Sequence, residues 1–95
     1  MKYPHIVAAK AIDNQTLLVK FTDDEFRQYN ISKFLENPMF AKLHNPAFFK
    51  NFKIEEGGYG LVWDDDVDIS EYELWQNGIS VADEDIAIHL EHTHL

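Results

Sequence analysis

Acidic turn signals cut the first third of the chain into three short strand-like runs. Residues 6–12 alternate imperfectly and stop at Asp13-Asn14. The run TLLVKF, residues 16–21, is rich in β-branched and large apolar side chains and stops at Asp23-Asp24. Residues 25–29 alternate imperfectly again. Asp and Asn suit such breaks because their short side chains bond the backbone two residues on. Three runs joined by two short turns predict an antiparallel meander.

The period then changes. Ile31, Phe34 and Leu35 stand at i, i+3 and i+4, which predicts one face of a short helix. Asn37-Pro38 and Asn45-Pro46 follow. Asn is a good N-cap and Pro is preorganised for the first helical position, so each pair predicts a helix start. Two copies eight residues apart are too few for a repeat array. Strand character returns at residues 52–55, Gly57-Gly58 predicts a turn needing positive φ, and residues 60–63 and 67–69 predict two more strands. Residues 70–77 read as a helix closed by Gly78 as its C-cap.

The expected fold class is therefore α+β: a small antiparallel sheet in two strand groups with short helices on it, as one domain over residues 1–78. Residues 79–95 have no clear period and are expected to form a tail, partly disordered. A chain of 95 residues has room for one modest core, and 45% hydrophobic content excludes a disordered composition. Phe34, Phe40, Phe48, Phe49 and Phe52 are the natural material for that core.

Charge narrows the partners. Residues 1–53 hold all eight Lys and Arg against five acids, a net +3, while residues 54–95 hold twelve acids and no Lys or Arg, a net −12. Phosphate binding needs clustered Lys and Arg, so direct nucleic-acid contact is not expected, nor is contact with an anionic membrane. A basic protein is the complementary partner. The absence of cysteine removes thiolate chemistry, disulfides and Cys-based zinc sites together. The start is neither a signal peptide nor a spanning segment, so a cytoplasmic location is expected.

The densest chemistry is GLVWDDDVDISEYELW, residues 60–75. With Asp64 as position 1 of a calcium loop, Asp66 and Asp68 fall at 3 and 5. The required Gly at 6 is Ile69, however, and the required Glu at 12 is Trp75. A start at Asp66 puts Asn77 at 12. A plainer reading uses every residue: Asp64, Asp65 and Asp66 reverse the chain, then Ser70 caps a helix with Glu73 three residues on. Ile69 and Leu74 form the hydrophobic staple, and Glu71 meets the helix dipole. The alternative is a divalent metal, or a small enzyme, built on Asp64, Asp66 and Asp68 or on His89, His92 and His94 in HLEHTHL. On a helix only His89 and His92 share a face, and on a strand only His92 and His94. That stretch also has the composition of an appended Leu-Glu-His tag. His5 and His44 have no sequence-adjacent acid or nucleophile, no serine sits in a nucleophile elbow, and Gly57-Gly58-Tyr59-Gly60 lacks the ending of a phosphate loop. No catalysis and no cofactor are expected.

The order of these blocks resembles the small bacterial family catalogued as domain of unknown function 2442. Tyr3-Pro4-His5-Ile6-Val7 matches its opening strand, and TLLVKFTDDEFRQYNI its strand, acidic turn and strand. FLENPMFAKLHNPAFFKNF matches its Asn-Pro helical block, and LVWDDDVDISEYELW its closing strand and helix. The match runs over residues 3–78. Many members carry Pro-Asn-Gly-like residues where Asp64-Asp65-Asp66 stands, which again implies a turn. The resemblance also implies a protein found alone or fused to a helix-turn-helix, for which the stretch after Gly78 is too short. Lone members are often encoded beside another small protein, an arrangement like a toxin–antitoxin or regulatory pair. The expectation is thus a non-catalytic interaction module whose partner is a small basic protein, bound on an acidic face of Asp64, Asp65, Asp66, Asp68 and Glu71. Self-association stays open.

Overall fold

The computed structural model describes residues 4–82. Strands β1 (Ile6–Ala11), β2 (Thr16–Phe21) and β3 (Phe26–Asn30) form the expected antiparallel meander. Its turns use the side chains the sequence offers. Asp13 Oδ1 accepts from Gln15 N at 2.8 Å, Asp23 Oδ1 from Glu25 N at 3.1 Å, and Asp24 takes the left-handed region with φ 66°.

The middle segment is helical but tighter than α. Ser32–Phe34 and Pro38–His44 are 3₁₀ turns, and only Pro46–Lys50, helix α1, is an α-helix. Both Asn-Pro pairs start helices as expected: Asn37 Oδ1 accepts from Met39 N at 3.0 Å, and Asn45 Oδ1 from Ala47 N at 2.9 Å. Each proline also holds the residue before it extended, with ψ of 123° at Asn37 and 115° at Asn45. That interruption confines the segment to the seven residues between the two Asn caps.

A second antiparallel sheet, in the order β4-β5-β6, is made by β4 (Lys53–Ile54), β5 (Gly60–Asp64) and β6 (Val67–Ser70). Gly57 and Gly58 make the β4–β5 turn with φ of 86° and 77°, a conformation costly for any residue with a Cβ. Gly58 O accepts from Ile6 N at 3.0 Å, which ties this turn to β1. A bulge between Val62 and Asp64 inserts Trp63 as an extra residue and turns its indole inward.

Helix α2 (Glu71–Asn77) opens as the sequence predicts, with Ser70 Oγ accepting from Glu73 N at 3.2 Å. Only half of the capping box forms, because the Glu73 carboxylate is drawn to β3 instead. Gly78 departs from expectation. It closes the helix with φ −72° and ψ 154°, not in the left-handed region. A Cβ there would run into Leu74 O and the Arg27 side chain, so glycine is required by closeness rather than by φ. Beyond it Ile79–Ser80, expected in the tail, form β7 and pair with β3 at Gln28 and Arg27. The first sheet thus has the order β1-β2-β3-β7. The rest of the expected tail, with His89, His92 and His94, lies outside the described residues.

One core fills the space between the sheets. Leu17, Val19, Phe21 and Tyr29 come from the first sheet and Leu61, Trp63, Val67 and Ile69 from the second. Ile31, Leu43, Phe49 and Leu74 come from the helical segments. Ile69 and Leu74, the two residues of the expected staple, are both buried in it. Of the five phenylalanines expected inside, Phe49 is fully buried, and Phe34, Phe40, Phe48 and Phe52 pack half-buried against the cluster. Trp63 Nε1 donates to Phe49 O at 2.7 Å inside the core. Arg27 fastens the outer elements: its guanidinium lies 3.9 Å from the Trp75 ring, donates to Gly78 O at 3.2 Å, and pairs with Glu25 at 3.0 Å.

Candidate functional site

The aspartates sit on the β5–β6 hairpin, and the fold divides them into two groups. Asp64 belongs to the structure. Its Oδ1 accepts from Asp66 N and Val67 N, both at 2.9 Å, so the side chain shapes the turn from within. Its Oδ2 accepts from Lys42 Nζ at 2.8 Å, which ties the hairpin to the Pro38–His44 turn. The Lys42 ammonium first, and the Asp66 N–H after it, hold the Asp64 carboxyl below the usual carboxylate range. The same pair raises the Lys42 ammonium. A calcium or zinc ion would have to displace both the lysine and the turn.

Asp65, Asp66 and Asp68 are exposed, and their side chains make no hydrogen bond or ion pair among the described residues. Asp65 and Asp66 are the two residues at the tip. Asp68 alternates outward on β6 between buried Val67 and Ile69. The Asp66 charge also adds to the field that raises Lys42. Among the described residues, no three acidic or imidazole groups are gathered where a metal ion could be held.

Glu71, the fifth residue expected on this face, lies at the other end of β6 and turns away. His5 Nδ1 donates to Glu71 Oε2 at 2.7 Å, and the Glu71 side chain is only 14% exposed. The Tyr59 ring stands edge-on to His5 with centroids 4.9 Å apart, and Glu71 N donates to Tyr59 O at 2.9 Å. Glu71 is thus a half-buried strut joining α2 to the residue before β1, bonded rather than free. Glu73 is spent in the same way. Lys33 Nζ donates to Glu73 Oε2 at 2.7 Å, and Tyr29 Oη donates to the same oxygen at 2.5 Å. These two donors, Lys33 first, lower the Glu73 carboxyl. Burial first, then the Glu73 charge, pushes the Tyr29 phenol well above its ordinary range.

Sequence reasoning located the acids and missed every partner. His5, Lys33 and Lys42 lie 66, 40 and 22 positions from the carboxylates they meet. No local spacing signals such pairs. His44, like His5, finds a distant contact, with Nε2 2.7 Å from Leu35 O.

The geometry therefore offers a free acidic edge at residues 65–68, held by a hairpin whose other acids are neutralised from the N-terminal half. The sequence profile of the family described as protein of unknown function (DUF2442) matches residues 6–80. The chain belongs to this family. The DUF2442 match begins at β1 and ends with β7, so both sheets and every pairing above except that of His5 with Glu71 fall inside it. No curated protein and no solved structure matches the chain. No helix among the described residues is long and apolar enough to cross a membrane.

Proposed function

We propose that this DUF2442 protein is a non-catalytic interaction module of the bacterial cytoplasm, acting as the antitoxin-like or regulatory member of a pair. Its β5–β6 hairpin meets a small basic protein. The observation that carries this reading is the division of labour among the acids. Asp64, Glu71 and Glu73 are bonded to lysine, histidine or tyrosine side chains of the fold, whereas Asp65, Asp66 and Asp68 stand exposed with no such bond among the described residues. Rim carboxylates of this kind steer encounter with a cationic partner and make association depend on salt.

The test is co-purification with the product of the adjacent reading frame, at low and at moderate salt. Replacing Asp65, Asp66 and Asp68 together by Asn should abolish capture and leave the thermal melt unchanged. Capture that survives the triple substitution removes the hairpin from the reading. Capture of nothing by the wild-type chain removes the partner. Calorimetry with zinc, nickel, calcium and manganese addresses the rival metal reading, which requires heat and a thermal shift that Asp64→Asn and Asp68→Asn abolish.

A further inference from the structure

Strand β2 is buried on both of its faces. Leu17, Val19 and Phe21 belong to the core between the sheets, and Leu18 alternates to the outer face. Leu18 is 0% exposed, and it is the one buried side chain outside the core cluster. The second sheet and the helical segments place their buried apolar side chains in that core, on the opposite side of β2. None of them accounts for a cover over Leu18.

The strand register sets Lys10, Leu18, Gln28 and Ile79 in one row across all four strands. Lys10 and Gln28 are half-buried as well, although long polar side chains on an open face extend their ends into water. Ile79, at the far end of the row, is 73% exposed. The cover thus lies over β1, β2 and β3 and stops short of β7. Because Leu18 is fully buried within one chain, neither a second copy nor a partner is needed to explain it.

We propose that residues 83–90, DEDIAIHL, cross the outer face of the first sheet as a strap and seat Ile86, Ile88 and Leu90 over Leu18. The exit of the chain carries them there. Val81 N donates to Phe26 O at 3.1 Å, so β7 leaves the sheet at the Phe26 end of β3. Phe26 stands opposite Lys20, which is two residues from Leu18 on the same face. The chemistry of the segment follows in that order: Asp83, Glu84 and Asp85 come first, toward Lys20, and the apolar residues come next, over Leu18. Strands lie about 4.8 Å apart and an extended residue spans about 3.3 Å, so about three residues carry the chain from β7 to β2. Charge agrees. The charged residues that β1, β2 and β3 present on this face are Lys10 and Lys20, and residues 54–95 hold no Lys or Arg. The strap lies beyond the family match, which ends at residue 80, and is independent of the acidic hairpin and its partner.

The chain has no cysteine, so Ala87→Cys accepts a single nitroxide label on the full chain. The label should remove most of the amide signal of Lys10, Leu18 and Gln28 and leave Asp65 and Asp66 intact. In the wild-type chain, the Leu18 methyls should show nuclear Overhauser contacts to methyls of Ile86, Ile88 or Leu90. Signal loss confined to Ile79, Ser80 and Val81 overturns the proposal. So does signal loss that an isotope-enriched chain receives from a labelled second copy, which would make the cover intermolecular. Should the labelled variant not fold, the methyl contacts decide alone, and their absence from Leu18 overturns the proposal.

Discussion

Tyr29 and Glu73 stand 44 positions apart and share a hydrogen bond, the phenol of β3 donating to the carboxylate of α2. Tyr29 is 2% exposed, so its hydroxyl is carried into the core boundary, where the Glu73 carboxylate accepts from it. Tyr29→Phe keeps the ring and removes only the bond. A hydrogen bond to a charged group contributes about 1.5–3 kcal/mol, so urea unfolding should show a free energy lower by that amount, read as a lower midpoint with an unchanged slope. A double-mutant cycle with Glu73→Gln should return a coupling of about 1 kcal/mol or more, and additivity would disprove the pairing.

The same group sets the acid limb of stability. Glu73 is held below its unfolded value of about 4.3, so its contribution is complete above that pH and lost as pH falls through the lowered folded value. Asp64 acts in the same direction, more weakly because it is solvent-screened. The Tyr29 phenol is raised, so its contribution is complete below about pH 10 and lost at higher pH, where only the unfolded chain ionises. Denaturant titrations across pH should show an acid limb flattened in Glu73→Gln and an alkaline limb flattened in Tyr29→Phe. Superimposable curves for wild type and variants would exclude both groups.

Trp63 joins the second sheet to α1 through one buried bond to Phe49 O. Trp63→Phe leaves that carbonyl without its donor, an omission costing about 1–3 kcal/mol before any loss of packing. For a domain of this size each 1 kcal/mol lowers the melting temperature by about 4–8 °C. A calorimetric scan with no shift would mean that the indole N–H is not needed there.

Gly78 and Gly57 are glycines for different reasons, and alanine separates them. At Gly57 the φ of 86° is what a side chain disfavours, at about 1–2 kcal/mol. At Gly78 the backbone is ordinary, but the new methyl would overlap Leu74 O and crowd Arg27, an overpacking cost of about 1–3 kcal/mol. Pairing Gly78→Ala with Arg27→Ala should recover none of the Leu74 clash, because that contact is backbone. Full recovery in the double variant would assign the crowding to the arginine.

Much of the architecture was legible because its signals are local. Alternation and Asp-rich turns mark the meander, Asn-Pro marks both helix starts, and Ser70 with Ile69 and Leu74 marks the entry to α2. Each is decided by residues within a few positions of one another. The positive φ of Gly57 and Gly58 was likewise implied by the Gly-Gly pair between two strand-like runs.

The candidate site was legible only in part. The run Asp64-Asp65-Asp66-Val67-Asp68 showed where negative charge accumulates, and it correctly implied a turn. Which of those charges stay free was decided in three dimensions. Lys42 takes Asp64, His5 takes Glu71, and Lys33 with Tyr29 takes Glu73, because folding brings the basic N-terminal half against the acidic C-terminal one. The strand at Ile79–Ser80 had the same cause. Two exposed residues have no pattern of their own, and they pair only because β3 and Arg27 stand beside them. Sequence by itself determined the elements other than β7, since their propensities and caps are short-range. Tertiary structure alone decided the pairings, since a side chain reads its neighbours in space and not along the chain.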